Sequence, residues 1–156
     1  MSSPESSPES SSRVVRCTEC GKSNRVPAAA AGKPRCGSCK APLPWIADAG
    51  DADFALVAEQ AGLPVLVDLW ATWCGPCRMV SPALEQVAAE LAGRIKLVKV
   101  DIDRSPSLAR RFEVQAVPTL LLLDRGRIIA RQAGAASAPV LRRWVETALA
   151  DRAAQP

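Results

Sequence analysis

The stretch Val67-Asp68-Leu69-Trp70-Ala71-Thr72-Trp73-Cys74-Gly75-Pro76-Cys77-Arg78-Met79 contains the change of period that organises the chain. From Pro64 to Ala71 nearly every residue is apolar, the pattern of a central strand covered on both faces, and Asp68 alone interrupts it. From Cys74 the period turns helical: Met79, Val80, Leu84, Val87, Ala88 and Leu91 are spaced for one face of a helix reaching about Ala92. Pro82 lies inside it and predicts a kink.

Two cysteines stand where that strand delivers the chain to the helix N-terminus. Unpaired N–H groups and the positive end of the helix dipole favour a thiolate at Cys74, lowering its pKa from about 8.5 toward neutrality. With two residues between them the sulfurs can close a small disulfide, so Cys77 can resolve a mixed disulfide formed by Cys74. Pro76 fixes its own φ where a missing N–H costs nothing, and Gly75 leaves the approach to Cys74 open. The competing reading is a zinc knuckle or two inert thiols, but no second free cysteine pair remains to complete such a site. A carboxylate within an apolar strand has a raised pKa, so Asp68 suits proton transfer near neutrality; a strand-edge position or a structural pair with Lys99 is the alternative.

On either side of this stretch, helical and strand periods alternate from Asp51 onward, the mark of α/β organisation. Asp51 is expected to cap a helix to about Ala61 with Phe54, Val57 and Ala58 on one face. Ile95–Val100 reads as a strand, and Ser105-Pro106 as a cap and first turn of a short helix to about Phe112. Thr119–Leu123 and Arg127–Arg131, joined by Asp124-Arg125-Gly126, predict an antiparallel hairpin. Ser137 opens a last helix to about Ala150. With a short strand near Trp45, the result is a mixed central sheet flanked by helices.

The stretch around Cys74 resembles the active-site segment of the thioredoxin family. The resemblance extends over about residues 48–150 and takes in Pro82, Lys99, Val117-Pro118-Thr119, Gly126 and Gly134. It implies a thioredoxin fold and a thiol-disulfide oxidoreductase, an enzyme that reduces protein disulfides with Cys74 as nucleophile and Cys77 as resolving thiol. By position it makes Asp68 the buried proton acceptor for Cys77, acting through water, with Lys99 nearby to modulate it. It makes Val117-Pro118 a cis peptide facing the dithiol, and Trp73, Gly75, Pro76, Val117, Pro118 and Gly134 a shallow docking surface for extended substrate. Trp70 fits packing and function equally. The implied partners are disulfide-containing proteins and an NADPH-dependent thioredoxin reductase, with no organic cofactor bound to this chain and a monomer expected. Leu69, where the family commonly has Phe, with Thr72 and Arg125, departs from the pattern without touching the dithiol.

Ahead of this domain lie Cys17-x-x-Cys20 and Cys36-x-x-Cys39, fifteen residues apart, a spacing suited to a two-knuckle site with four cysteine ligands. Four thiolates fit tetrahedral Zn²⁺, and Gly21 and Gly37 beside the ligands permit the tight turns. Two disulfides, or a redox-labile site that releases zinc on oxidation, are the other readings. With few large apolar side chains, a segment of this size depends on such a staple. A zinc ribbon ahead of a thioredoxin domain resembles the thioredoxin-2 type, including Arg16-Cys17-Thr18-Glu19-Cys20-Gly21 and Asn24-Arg25-Val26-Pro27. The expected organisation is a disordered Ser/Pro/Glu tail over 1–12, a zinc-ribbon module over 13–46, and a thioredoxin domain over 47–156, with 47–53 a linker ending in a helix cap.

Composition narrows the function further. Of 156 residues, none is histidine, which removes His-based acid–base catalysis and His-containing zinc sites. The net charge of +4 comes from residues 1–47, where seven Lys/Arg meet three Asp/Glu; the remainder holds thirteen of each. Thiolates around zinc would trim that excess, and no aromatic residue before Trp45 offers a stacking platform, so no nucleic-acid partner is expected. Neither a secretory signal nor an apolar run of about 18 residues is present, so a cytoplasmic protein without membrane contact is expected. The alternative function is a zinc-dependent protein-binding or chaperone-like module with redox-sensing cysteines.

Overall fold

A computed structural model describes residues 12–154. The tail expected over 1–12 lies outside them, except Ser12, which opens the first strand. Strands β1 (Ser12–Arg16) and β2 (Ser23–Pro27) form an antiparallel ribbon in the N-terminal segment. The main sheet holds β3 (Ile46–Asp48), β4 (Val65–Trp70), β5 (Lys96–Asp101), β6 (Thr119–Asp124) and β7 (Arg127–Ala133), in the order β3-β5-β4-β6-β7. β3 and β4 run parallel to β5, whereas β6 is antiparallel to both β4 and β7. β4 is therefore the middle strand, which explains its apolar run. The short strand expected near Trp45 is β3, so Ala47 and Asp48 belong to the sheet edge and not to a linker.

Strand parity assigns the faces. Val65, Val67, Leu69, Val98, Val100, Leu121 and Leu123 pack with Phe54, Val57, Leu108 and Phe112 on one side. Leu66, Leu97, Leu120 and Leu122 pack on the other with Val80, Leu84 and Val87 of α1 (Gly75–Glu90) and Leu141 and Val145 of α3 (Ala138–Ala154). Each such side chain, fully buried, contributes about 1.5–3 kcal/mol. By the same alternation Asp68 and Lys99 point to the α1 side. Met79, expected on the core face of α1, is 77% exposed, next to the buried stripe of Cys77, Val80 and Leu84 but outside it.

The helix expected from Asp51 is one wide turn of π type over Ala55–Glu59, with Gln60 N–H bonded to Ala55 O at 2.9 Å. Phe54, Val57 and Ala58 are buried as expected. Asp51 does not cap that turn: its carboxylate accepts the N–H groups of Ser107 and Leu108 at 3.1 and 2.9 Å. It thereby caps α2 (Pro106–Arg111), where the Ser105 hydroxyl makes no cap bond. In the β6–β7 hairpin Arg125 and Gly126 have φ of 52° and 82°, the two left-handed positions of a tight I′ connection.

The N-terminal segment packs on the sheet through its own small core, where Cys17, Val26, Cys36, Leu43 and Trp45 meet Leu63. Trp45 Nε1 donates to Pro27 O at 2.9 Å. The Lys96 ammonium is buried over the Trp45 ring, 4.0 Å from its centroid, and donates to Ala28 O and Val57 O at 2.5 and 2.6 Å.

Candidate redox site and metal centre

β4 ends at Trp70, and a short turn brings Cys74 to the N-cap of α1. Cys74 and Cys77 form a disulfide with Cα atoms 5.3 Å apart, and Cys77 N–H donates to Cys74 Sγ at 3.1 Å. Sulfur thus occupies the acceptor position that an N-cap oxygen usually fills. A backbone N–H donor at a helix N-terminus favours the charged form of a sulfur that accepts it. Both cysteines are buried with Ala71, against half-buried Trp70, Ile102 and Val117.

The substrate-facing residues expected from the sequence gather around this pair. The Val117–Pro118 peptide is cis, and the Val117 carbonyl oxygen lies 3.5 Å from Cys74 Sγ. Gly134, with φ of 91°, donates its N–H to Pro118 O at 2.9 Å, which places it beside that loop. Trp73 is 66% exposed and held by its Nε1–H, which donates to Asp103 Oδ2 at 2.9 Å. Open space lies over Gly75, and Pro76 sits in the first helical turn.

Beneath the disulfide a pocket of about 440 Å³ is lined by Asp68, Trp70, Cys77, Arg78, Ser81 and Lys99, among others. Among the described residues, neither Asp68 oxygen has a hydrogen-bond partner, nor does Trp70 Nε1. Burial pushes the Asp68 carboxyl up to about 6, against the lowering influence of Lys99 and with a further upward push from Glu85. Asp68 and Lys99 are register partners on adjacent strands, yet the Lys99 ammonium pairs with Glu85 Oε2 at 3.2 Å and with Ser81 Oγ. The sequence reading missed Ser81, Glu85 and Asp103. The first two were accessible to it, since Cys77, Ser81 and Glu85 recur every four residues along α1. Nothing local marked Asp103.

The four N-terminal cysteines also converge. Their sulfurs all lie within 4.8 Å of one another, with Cys17–Cys39 and Cys20–Cys36 at 3.6 Å. All four are free thiols, so the two-disulfide alternative does not describe them. A tetrahedral Zn²⁺ with bonds of about 2.3 Å spaces its sulfurs roughly 3.8 Å apart, so the donor set fits a metal ion. The two knuckles repeat each other: Gly21 N–H bonds Cys17 O, Lys40 N–H bonds Cys36 O, and the N–H groups of Glu19 and Ser38 point at the Cys17 and Cys36 sulfurs at 3.4 Å. The left-handed residue after each second cysteine is Gly21 (φ 78°) in one knuckle and Lys40 (φ 66°) in the other, so Gly37 does not serve that purpose. The Cys39 N–H, most of all, brings the Cys36 thiol down to about 6; burial opposes it, and Ser38 N–H and the Asn24 amide assist.

The thioredoxin family model matches residues 46–147. The chain belongs to the thioredoxin family. It is similar to thioredoxin of Haemophilus influenzae, at 45% identity over 85 residues, 54% of this chain and 79% of that protein. Thioredoxin C-3 of Corynebacterium nephridii is 37% identical over 140 residues, covering 87% of this chain and 95% of that protein, a span that must reach into the N-terminal cysteine segment. The bifunctional thioredoxin reductase/thioredoxin of Mycobacterium leprae is 45% identical over 85 residues, 54% of this chain and 19% of that protein. By membership this is a thiol-disulfide oxidoreductase of the thioredoxin type, with Cys74–Cys77 as its redox pair.

Proposed function

We propose that the chain reduces disulfides of other proteins by dithiol exchange. The observation that carries the reading is the Cys74–Cys77 pair at the head of α1, with the Cys77 N–H on the Cys74 sulfur and Asp68 buried below. The Cys74 thiolate attacks one substrate sulfur, the substrate disulfide breaks, and a mixed disulfide forms. Cys77 gives its proton to Asp68 and attacks Cys74 Sγ; the substrate's two sulfurs leave in turn as thiolates that take protons from solvent, and the protein is left oxidised. The cis Val117–Pro118 peptide, Trp73, Gly75, Pro76 and Gly134 form the shallow surface on which an extended substrate lies.

The oxidised protein returns to the dithiol through an NADPH-dependent thioredoxin reductase. A relative that carries reductase and thioredoxin in one chain supports this partner. The metal we assign to Cys17, Cys20, Cys36 and Cys39 is one Zn²⁺, which supplies cross-linking to a module with a small core and takes no part in the exchange. The division into a ribbon over 13–46 and a catalytic domain over 47–156, a monomeric state and a cytoplasmic location complete the proposal. Among the described residues no helix is long and apolar enough to cross a membrane.

Insulin reduction with dithiothreitol as electron donor tests the reading. Cys74→Ser is expected to lose turnover entirely, and Cys77→Ser to accumulate a mixed disulfide visible by mass spectrometry. Turnover in Cys74→Ser close to wild type would leave the ribbon, as a binding module with redox-sensing cysteines, the better account.

A further inference from the structure

Asp68 and Lys99 stand side by side on the α1 face of the sheet, and in an apolar interior a carboxylate and an ammonium so placed are expected to pair. They do not. The Lys99 ammonium is taken by Ser81 Oγ and by Glu85 Oε2 at 3.2 Å, both on α1. Ser81 Oγ is in turn 3.4 Å from Glu85 Oε2, so hydroxyl, carboxylate and ammonium close a triangle beside the Asp68 pocket. Among the described residues, no protein group hydrogen-bonds either Asp68 oxygen.

We propose that Glu85, together with Ser81, is a positioning residue that draws the Lys99 ammonium away from Asp68 and so sets how readily Asp68 accepts the Cys77 proton. The proposal rests on the reading of Asp68 as that acceptor. The ionisable groups facing Asp68 are few. β5 presents Lys99; α1 presents Cys77, Glu85 and Arg78, whose guanidinium donates to Thr72 O at 2.7 Å; β6 presents its apolar register partner Leu120. A second pocket, which shares Trp70, Thr72 and Lys99 with the first, adds Asp48, Asp53, Asp101 and Arg104. Glu85 acts on Asp68 in one direction by two routes: its charge repels the Asp68 carboxylate, and its grip withholds the nearest cation. In the resolving step the proton leaves Cys77 Sγ for Asp68, the Cys77–Cys74 bond forms, and the bond from Cys74 to the substrate sulfur breaks.

The test is ¹³C-carboxyl titration of Asp68 in the reduced full-length protein, alongside the pH dependence of kcat/KM for insulin. The variants are Glu85→Gln, Lys99→Met, their combination, and Asp68→Asn. In Glu85→Gln the Asp68 midpoint is expected to fall by about half a pH unit or more, and the acid limb of the rate profile to move down with it. In the Lys99→Met background the same substitution should produce a much smaller shift, because the released cation is gone. An unmoved Asp68 midpoint in Glu85→Gln, or an equal shift with and without Lys99, overturns the proposal. Asp68→Asn keeping the wild-type rate profile would instead overturn the proton-acceptor reading, while the Asp68 titration in Glu85→Gln still judges the tether.

Discussion

The Lys96 ammonium donates to the carbonyl oxygen of Ala28 across 68 positions of sequence, and that bond fastens the N-terminal module to the central sheet. Its second bond, to Val57 O, ties the same nitrogen to the π turn. Lys96→Met keeps most of the apolar stem but strands two carbonyl groups in the interior. The expected loss is about 2 kcal/mol of stability, measured by urea denaturation, since each unsatisfied buried acceptor costs about 1–3 kcal/mol and relief from burying a charge offsets part of that. The module should loosen first, seen as earlier proteolysis between Arg13 and Lys40.

Asp68 works against the fold at the pH where it serves the chemistry. Its carboxyl stands near 6 in the folded chain against an ordinary value of 3.8. Below the ordinary value the group is protonated in both states and costs nothing. As the pH rises from about 4 through 6, the unfolded chain ionises first and stability falls. Asp68→Asn should therefore be more stable than wild type at pH 8, by up to on the order of 3 kcal/mol, and little different at pH 4. Thermal melts at the two values decide it, and an equal gain at both would contradict the assignment.

Zinc content offers a direct check on the cysteine cluster. The protein purified with zinc in the medium should hold about one ion per chain by mass spectrometry of metals, and Cys36→Ser close to none. Chelation should lower the melting temperature, with the reducing activity of Cys74–Cys77 in the folded protein largely preserved.

The cap on α2 comes from Asp51, far away in sequence. Asp51→Ala should cost about 1 kcal/mol. Ser105→Ala, at the cap position itself, should cost less, because that hydroxyl makes no cap bond. Paired denaturation curves distinguish the two.

What the sequence disclosed was what short-range periodicity encodes. The apolar run ending at Trp70, the helix opening at Cys74 and the Arg125-Gly126 turn are local patterns, and each appears where the pattern puts it. The two pairs of N-terminal cysteines were legible because ligand spacing is itself local. The expectations that failed depend on partners distant in sequence. A capping aspartate at position 51 reads the same whether it serves the next turn or a helix beyond two strands. The apolar positions 54, 57 and 58 suit an ordinary helix as well as a π turn. Which group on α1 would hold the Lys99 ammonium beside Asp68 could not be read from either segment alone; the fold supplies Glu85. Met79 misled for a narrower reason: it lies next to the stripe that the sheet covers but outside it.

The chain has four tryptophans and no tyrosine, so its ultraviolet emission comes almost wholly from indole. Trp45 is sealed in the module core under Lys96, whereas Trp70 and Trp73 flank the dithiol. Replacing Trp70, Trp73 and the helical Trp144 with phenylalanine would leave one chromophore that senses metal loss in the module; restoring Trp73 alone would add a reporter of the opening and closing of the disulfide, so spectroscopy can follow the two halves of the molecule separately.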